Sequence, residues 1–445
     1  MVSMSTSPSS GNNNHCSLQL IHDVKLSSVV PASITAEEKR QHQLTNMDLV
    51  MKLHYIKTVH FFERDTVQGL GVDELKKAMF VWLEMYYPIC GRIRWSDGGG
   101  RPYVKCNDSG VRVVEAKCCK TMEEYWQLGI GDFSMLVYGQ PLAHDFGFTP
   151  LVFMQLTKFE CGGMSVGMSW AHILGDAFSA SNCVNIFGKF IEQQNQLRHT
   201  IPFTKNSDEA DKHNHPKTTS IRKSLKLLDP LGENWLIPNT HKMQNHTFHF
   251  PEELLSNYFL QKSTGQNKIK PFELISAVIW KSLAKIRGTD NEPKIVTVCK
   301  KGFYKSGDSE LPSNRNQIFG IVEAPMNLRV PEADPLELAK LIAENFVDES
   351  EMVMELEENE IGKKDFMVYG ANLTFVDLEE LDLYGLQLKR RRPVLANLSI
   401  GGVGDEGAVL VVPDGGGGAK IVNVILPEFQ LQGLKNELKE ELGIF

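Results

Sequence analysis

Apolar positions fall at helical spacing in some stretches and at strand-like spacing in others. Over residues 72–87, Leu75, Ala78, Met79 and Leu83 share one face, which predicts a helix that Pro88 stops. Over 272–287, Phe272, Ile275, Ile279, Leu283 and Ile286 do the same, with Gly288 as a stop signal. Asp334-Pro335-Leu336-Glu337 opens a third helix with Leu338, Leu341, Ile342 and Phe346 on its apolar face. Residues 25–32, 55–62 and 164–170 read as extended, the last as a short buried strand. Residues 45–49 open a short apolar stretch. Residues 91–95 and 103–106 flank Asp97-Gly98-Gly99-Gly100 as a hairpin, and residues 407–412 and 421–426 flank Pro413-Asp414 and a run of glycines in the same way. No helix opens after either glycine run and no Gly-Lys-Ser/Thr follows, so neither is a phosphate loop.

Strands and helices alternate in both halves, which predicts an α/β chain of two mixed domains with a ligand cleft at their interface. Residues 1–23 are rich in Ser, Asn and Gly and read as a disordered tail. Residues 24–196 form the first domain, the polar and aperiodic 197–233 a crossover loop, and 234–445 the second domain. The acidic run 348–360 reads as a solvated helix face. His213 and His215 lack a third ligand nearby and read as loop residues, so no metal is expected.

At 445 residues the chain is long enough for two cores, and its 42% hydrophobic and 23% charged residues are ordinary for a globular protein. A net charge of −8 argues against a nucleic-acid partner and against broad attraction to anionic membranes. Eight scattered cysteines form no metal-binding pattern and fit a reducing compartment. No apolar run reaches the roughly 20 residues that span a bilayer, and the N-terminus carries neither a signal-peptide core nor transit-peptide arginines. A membrane-associated role would therefore require a partner.

The chemistry concentrates in Ser169-Trp170-Ala171-His172-Ile173-Leu174-Gly175-Asp176. A strand delivers His172 into a turn at Gly175, and a helix starts at Asp176, an arrangement that can aim a general base into a cleft. The spacing alone is weak: with 13 histidines, about one chance His-x-x-x-Asp is expected in such a chain.

Context strengthens it. Tyr86-Tyr87-Pro88-Ile89-Cys90-Gly91-Arg92-Ile93, the 169–181 segment, Phe319-Gly320 and Asp382-Leu383-Tyr384-Gly385-Leu386 occur in the order in which the plant BAHD acyltransferases carry related segments. The chain resembles that family along nearly its whole length. Residues 25–32, 51–55, 106–110 and 369–375 are similar to its Eceriferum-two and Glossy-two branch. The resemblance implies the chloramphenicol acetyltransferase-like fold. It also implies elongation of very-long-chain fatty acyl groups beyond about C28 for cuticular wax. The implied partner is a membrane-bound condensing enzyme, a 3-ketoacyl-CoA synthase, on the cytosolic face of the endoplasmic reticulum. The protein itself is expected to be monomeric, to bind no cofactor, and to meet acyl-CoA as substrate or ligand.

Two functions follow. In an active O- or N-acyltransferase, His172 takes a proton from a hydroxyl or amine attacking an acyl-CoA thioester, and Asp176 fixes the turn. In a non-catalytic partner, the fold persists without that chemistry. Several positions depart from the family pattern. Only Asp382 survives of an Asp-Phe-Gly-Trp-Gly segment, whose glycine places hold Tyr384 and Leu386. Ile321 replaces an asparagine after Phe319-Gly320. No arginine matches the one that pairs with the motif aspartate, leaving Lys300 or Lys301 as substitutes. Ala371-Asn372-Leu373 lacks the polar residues that line a reacting carbonyl, and losing one such donor commonly costs about 10²- to 10³-fold in rate. These departures favour the partner. The cationic run Lys389-Arg390-Arg391-Arg392 reads as a solvated loop.

Overall fold

The computed structural model describes residues 20–96, 100–128, 133–142, 147–192, 222–231, 235–256, 269–302, 311–356, 361 and 364–444. Two large mixed sheets organise the chain. The first has the order Ile21–Val29, Val111–Cys118, Val152–Lys158, Met164–Ala171, Tyr55–Phe62, Leu395–Gly401. Its neighbours are antiparallel except Val111–Cys118 with Val152–Lys158. The second has the order Met243–Phe250, Lys420–Pro427, Ala408–Pro413, Leu373–Asp377, Ile295–Lys301, Gln317–Glu323, Val347–Asp348. The first sheet thus takes its last strand from the C-terminal half of the chain.

Side chains sort by strand period. In the second sheet, Val409, Val411, Val422 and Val424 face the helices Pro271–Arg287, Pro335–Glu344 and Glu428–Leu442. Ala408, Leu410, Val412, Ile421 and Ile425 face the other way. There they join Val50, Ile56, Trp82, Trp170 and Phe187 of the first half in one continuous apolar core. The two sheets also meet at a polar junction. Asn423 Nδ2 donates to Asn397 Oδ1 at 2.6 Å and to the Leu398 carbonyl at 2.8 Å, and Thr247 Oγ1 donates to Asn423 Oδ1 at 2.7 Å.

The long helices sit where the apolar period places them. Val72–Met85 ends just before a 3₁₀ turn, Tyr87–Cys90, that contains Pro88. Pro271–Arg287 ends at Gly288, whose φ of 75° suits glycine. Asp334 caps Pro335–Glu344 through the Leu336 amide.

Other expectations change. The first strand begins at Ile21, four residues early, because an irregularity between His22 and Lys25 keeps it paired. Residues 46–50 form a short helix closed by a Thr45–Asp48 capping box. Within the expected crossover loop, Lys226–Leu228 pairs with Asp365–Met367; His213 and His215 lie outside the described residues. The acidic run is not wholly solvated. Glu349 is buried and accepts hydrogen bonds from the Lys223 amide, the Ser224 amide and the Ser224 hydroxyl, which anchors the chain entering the second half. Cys119 is disulfide-bonded, which the scattered cysteine spacing gave no sign of.

Arg92 ties the first half together through backbone carbonyls, with no carboxylate partner among the described residues. It is buried, and its guanidinium donates to the carbonyls of Gly91, Gly110 and Phe148 at 2.7–3.1 Å, with longer contacts to Cys90 and Ser109. Burial lowers its pKa to about 10, so it remains charged at neutral pH. Arg92→Ala is expected to cost about 3 kcal/mol or more, because several buried carbonyls lose a charged donor. A denaturant midpoint within experimental error of the wild type would show that these carbonyls are satisfied without it.

Candidate functional site

The strand Met164–Ala171 is buried along its whole length, because sheet neighbours flank it and both of its faces are covered. Its register against Tyr55–Phe62 pairs Ala171 with Tyr55, so the next residues, His172 and His54, come side by side. The His172 amide donates to the His54 carbonyl at 3.0 Å. The chain then makes a 3₁₀ turn, His172–Leu174. Gly175 is required by close approach: a Cβ there would lie 2.9 Å from the Ser313 nitrogen and 3.0–3.1 Å from side chains of Ser179 and Pro312.

Asp176 begins the helix Ala177–Glu192. Its Oδ1 accepts the Ser179 amide at 2.9 Å. Its Oδ2 accepts the Asn316 amide at 2.7 Å, and the Asn316 side chain donates to Oδ1 at 3.1 Å. The carboxyl is buried, and burial raises its pKa to about 6 against the pull of those donors. The expected lysines are elsewhere: Lys300 lies over the Phe346 ring and Lys301 pairs with Glu380. Asn316 takes that place, and its neutral amide leaves the carboxyl without a countercharge among the described residues.

His172 is 1% exposed. Its carbonyl accepts from Asn314 Nδ2 at 2.8 Å, and the same amide donates to Asp48 Oδ1 at 2.9 Å. Its Nδ1 has no partner at hydrogen-bonding geometry among the described residues. The groups that favour a proton on the ring are its own carbonyl and the Asn314 side chain. Nε2 lies 3.0 Å from the Tyr369 hydroxyl, within hydrogen-bond reach, so this nitrogen is engaged by the phenol. Tyr369 is also 1% exposed, and burial pushes its phenol well above the usual range.

His54 completes the group. Its Nδ1 donates to the Gly402 carbonyl at 2.7 Å and its Nε2 accepts the Val368 amide at 3.2 Å. The Tyr369 ring packs edge-on to His54 at 4.8 Å and lies 5.6 Å from the His172 ring. Tyr369 is held by the turn after it. Gly370 has a φ of 83°, and a Cβ there would come within 2.4–2.7 Å of Gly404 backbone. The Gly404 amide donates to the Tyr369 carbonyl.

Other residues singled out from the sequence lie away from His172. Asp382 packs on the motif helix: its carbonyl accepts from Ser181 Oγ and Asn185 Nδ2, both at 2.8 Å. Tyr384 and Leu386 are buried, and neither adopts a positive φ, so this segment takes a path that non-glycine residues allow. Asn372 donates to the Lys223 carbonyl and to Thr297. Among the described residues, no group of three or more His, Cys, Asp or Glu converges as metal ligands do. His54, Tyr369, Asn314 and Asn316 were not identified from the sequence. A histidine just before a strand that pairs with the motif strand was the one available signal.

Two mixed sheets with a strand-delivered His-x-x-x-Asp at their junction define an acyltransferase fold. The model of the transferase family matches residues 22–303, and the chain belongs to that family, the BAHD acyltransferases. Protein ECERIFERUM 2 of Arabidopsis thaliana is 38% identical over 431 residues, 94% of this chain and 98% of the relative. Vinorine synthase matches in structure with a TM-score of 0.67 at 18% identity, over 94% of this chain and 98% of its own. F. sporotrichioides TRI101, solved with coenzyme A and T-2, matches with a TM-score of 0.66 at 12% identity, over 90% and 97%. At these identities the structural matches show the fold alone.

The buried histidines set the acid response. Burial lowers His54 to about 3 and His60 and His172 to about 4, from an ordinary value of 6.5. Between pH 6.5 and those values the unfolded chain binds more protons, so stability falls as pH falls. Asp176, raised from 3.8 to about 6, acts in the opposite sense: the native state holds its proton more tightly between those values. Each histidine contributes a loss of about 2 kcal/mol between pH 6.5 and 5, and Asp176 returns roughly 1 kcal/mol. Thermal melts are expected to show a lower midpoint at pH 5 than at pH 7, with a smaller drop in His60→Asn. Equal midpoints would mean that these rings are hydrated.

Proposed function

We propose that this protein is a non-catalytic partner of a fatty acid elongase, raising the acyl chain length that a membrane-bound 3-ketoacyl-CoA synthase accepts during cuticular wax synthesis. It acts on the cytosolic face of the endoplasmic reticulum and extends chains beyond about C28. The likeness to ECERIFERUM 2 over nearly the full length supports the pathway.

The closed state of His172 supports the non-catalytic form. A general base must present its lone pair to the hydroxyl or amine it deprotonates. Here Nε2 is engaged by the Tyr369 hydroxyl at 3.0 Å inside a core that leaves both residues 1% exposed. Burial lowers the ring to about 4, which weakens it as a base near neutral pH. The thioester carbonyl of an acyl-CoA would need to reach the place that the phenol fills. His172 and Asp176 then serve to hold the turn and cap the helix, and Asp382 holds the segment after it against the same helix. The alternative is an active transferase in which Tyr369 swings away when acyl-CoA binds.

Yeast carrying a plant condensing enzyme separates the two. Wild type, His172→Ala, His172→Gln and empty vector are compared by product chain length. Glutamine can still accept the Tyr369 hydroxyl but cannot act as a base, so it guards against loss of folding in the alanine variant. The expected outcome is equal extension by wild type and His172→Gln. Loss of extension in a His172→Gln protein that accumulates normally would assign the transferase instead, with release of free CoA from acyl-CoA as its signature.

A further inference from the structure

The cationic run is an exposed loop, and its backbone is unusual. The Leu388 amide donates to the Arg391 carbonyl at 3.1 Å and the Arg391 amide to the Leu388 carbonyl at 3.0 Å, so Lys389 and Arg390 are the two central residues of a tight hairpin turn. Both lie in the left-handed region, with φ of 50° and 61°. Such turns normally take Asn-Gly, because a Cβ is disfavoured at both central positions. Among the described residues, the other non-glycine positions with positive φ are Asp23 and Asp108, whose short side chains tolerate it. Lysine and arginine do not share that tolerance, and local strain of this kind clusters where a surface has a use.

The turn is fixed in place. Lys389 Nζ donates to the Gln68 carbonyl, and the Arg390 amide donates to the Glu192 carboxylate. These contacts leave the tip positive: a carbonyl carries no charge, and Glu192 offsets at most one of four cations, with the Arg390 guanidinium 90% exposed and 4.0 Å away. Arg391 and Arg392 are exposed and have no ion pair among the described residues. Val394 beside them is 47% exposed.

We propose that the 388–392 turn is a docking surface for the anionic phospholipid headgroups of a membrane. The charge layout favours a membrane over an acidic peptide. Beside the turn lies a groove of about 370 Å³ that Arg392 and Lys189 help line, but Glu192, Glu380 and Asp382 line it too, so an acidic peptide laid there meets more like charge than opposite charge. The exposed tip suits a broad anionic plane. With a net charge of −8 the chain as a whole is repelled by such a plane, so the attraction acts only within about 10 Å of the turn at physiological salt. This site does not depend on any role with a condensing enzyme.

Flotation with purified full-length protein tests it. Phosphatidylcholine vesicles are compared with vesicles carrying about 30% phosphatidylserine, near 0.1 M salt. The wild type is expected to float only with the anionic vesicles and to be released by high salt. Arg391→Glu/Arg392→Glu is expected to lower partitioning at least about 20-fold, while Arg391→Lys/Arg392→Lys retains it, since charge is what is read. Equal binding by wild type and the glutamate variant overturns the proposal. So does a wild type that ignores anionic vesicles but is retained by an immobilised polyglutamate peptide, which would reassign the turn to protein carboxylates.

Discussion

Apolar side chains from both sheets close into one continuous core, and His172 lies inside it rather than on the wall of an open cleft. A polar ring in such a place must find partners or lose stability. Three distant segments surround this residue, two bonding its backbone and one, through Tyr369, its ring. His54 comes from the strand partner, Asn314 from the segment leading into Gln317–Glu323, and Tyr369 from the turn before Leu373–Asp377. Dry surroundings keep the imidazole neutral, and the Tyr369 hydroxyl engages its Nε2. The same features that make the site a stable piece of core remove what a base needs, which is access.

Much of the frame was legible in the sequence, for a physical reason. Helices Val72–Met85 and Pro271–Arg287 each bury one face, so apolar residues recur at three and four. The strand Met164–Ala171 is buried on both faces and reads as a short apolar run between turn signals. The helix Asn46–Val50 was missed because five residues are too few to show a period, although its Thr45–Asp48 box was present. The motif pair His172 and Asp176 was visible because four residues of spacing bring both to one turn.

The rest of the site was not legible because sequence separation hides it. Tyr369 reaches His172 across 197 residues, and Asn316 reaches Asp176 across 140. Expecting a lysine opposite Asp176 followed from charge, yet the fold meets the carboxylate with the amide and side chain of Asn316. Hydrogen bonds can cap a helix and hold a turn where an ion pair is absent. The cost appears as a carboxyl whose pKa rises to about 6.

Retention of His-x-x-x-Asp is therefore weak evidence for chemistry in this chain. The Asp176 side chain caps a helix and fastens the 313–316 segment, and those duties do not require a reaction. The His172 backbone pairs with His54 and Asn314, and its ring gives a buried phenol a hydrogen-bond partner. Replacing the ring with a small apolar side chain would leave a cavity and an orphaned Tyr369 hydroxyl, each costing of the order of 1–3 kcal/mol. Stability alone can thus account for such a motif whether or not it carries chemistry. What separates a working transferase from a partner protein with the same motif is whether Nε2 meets a ligand or a tyrosine, and the motif spacing carries no information about that.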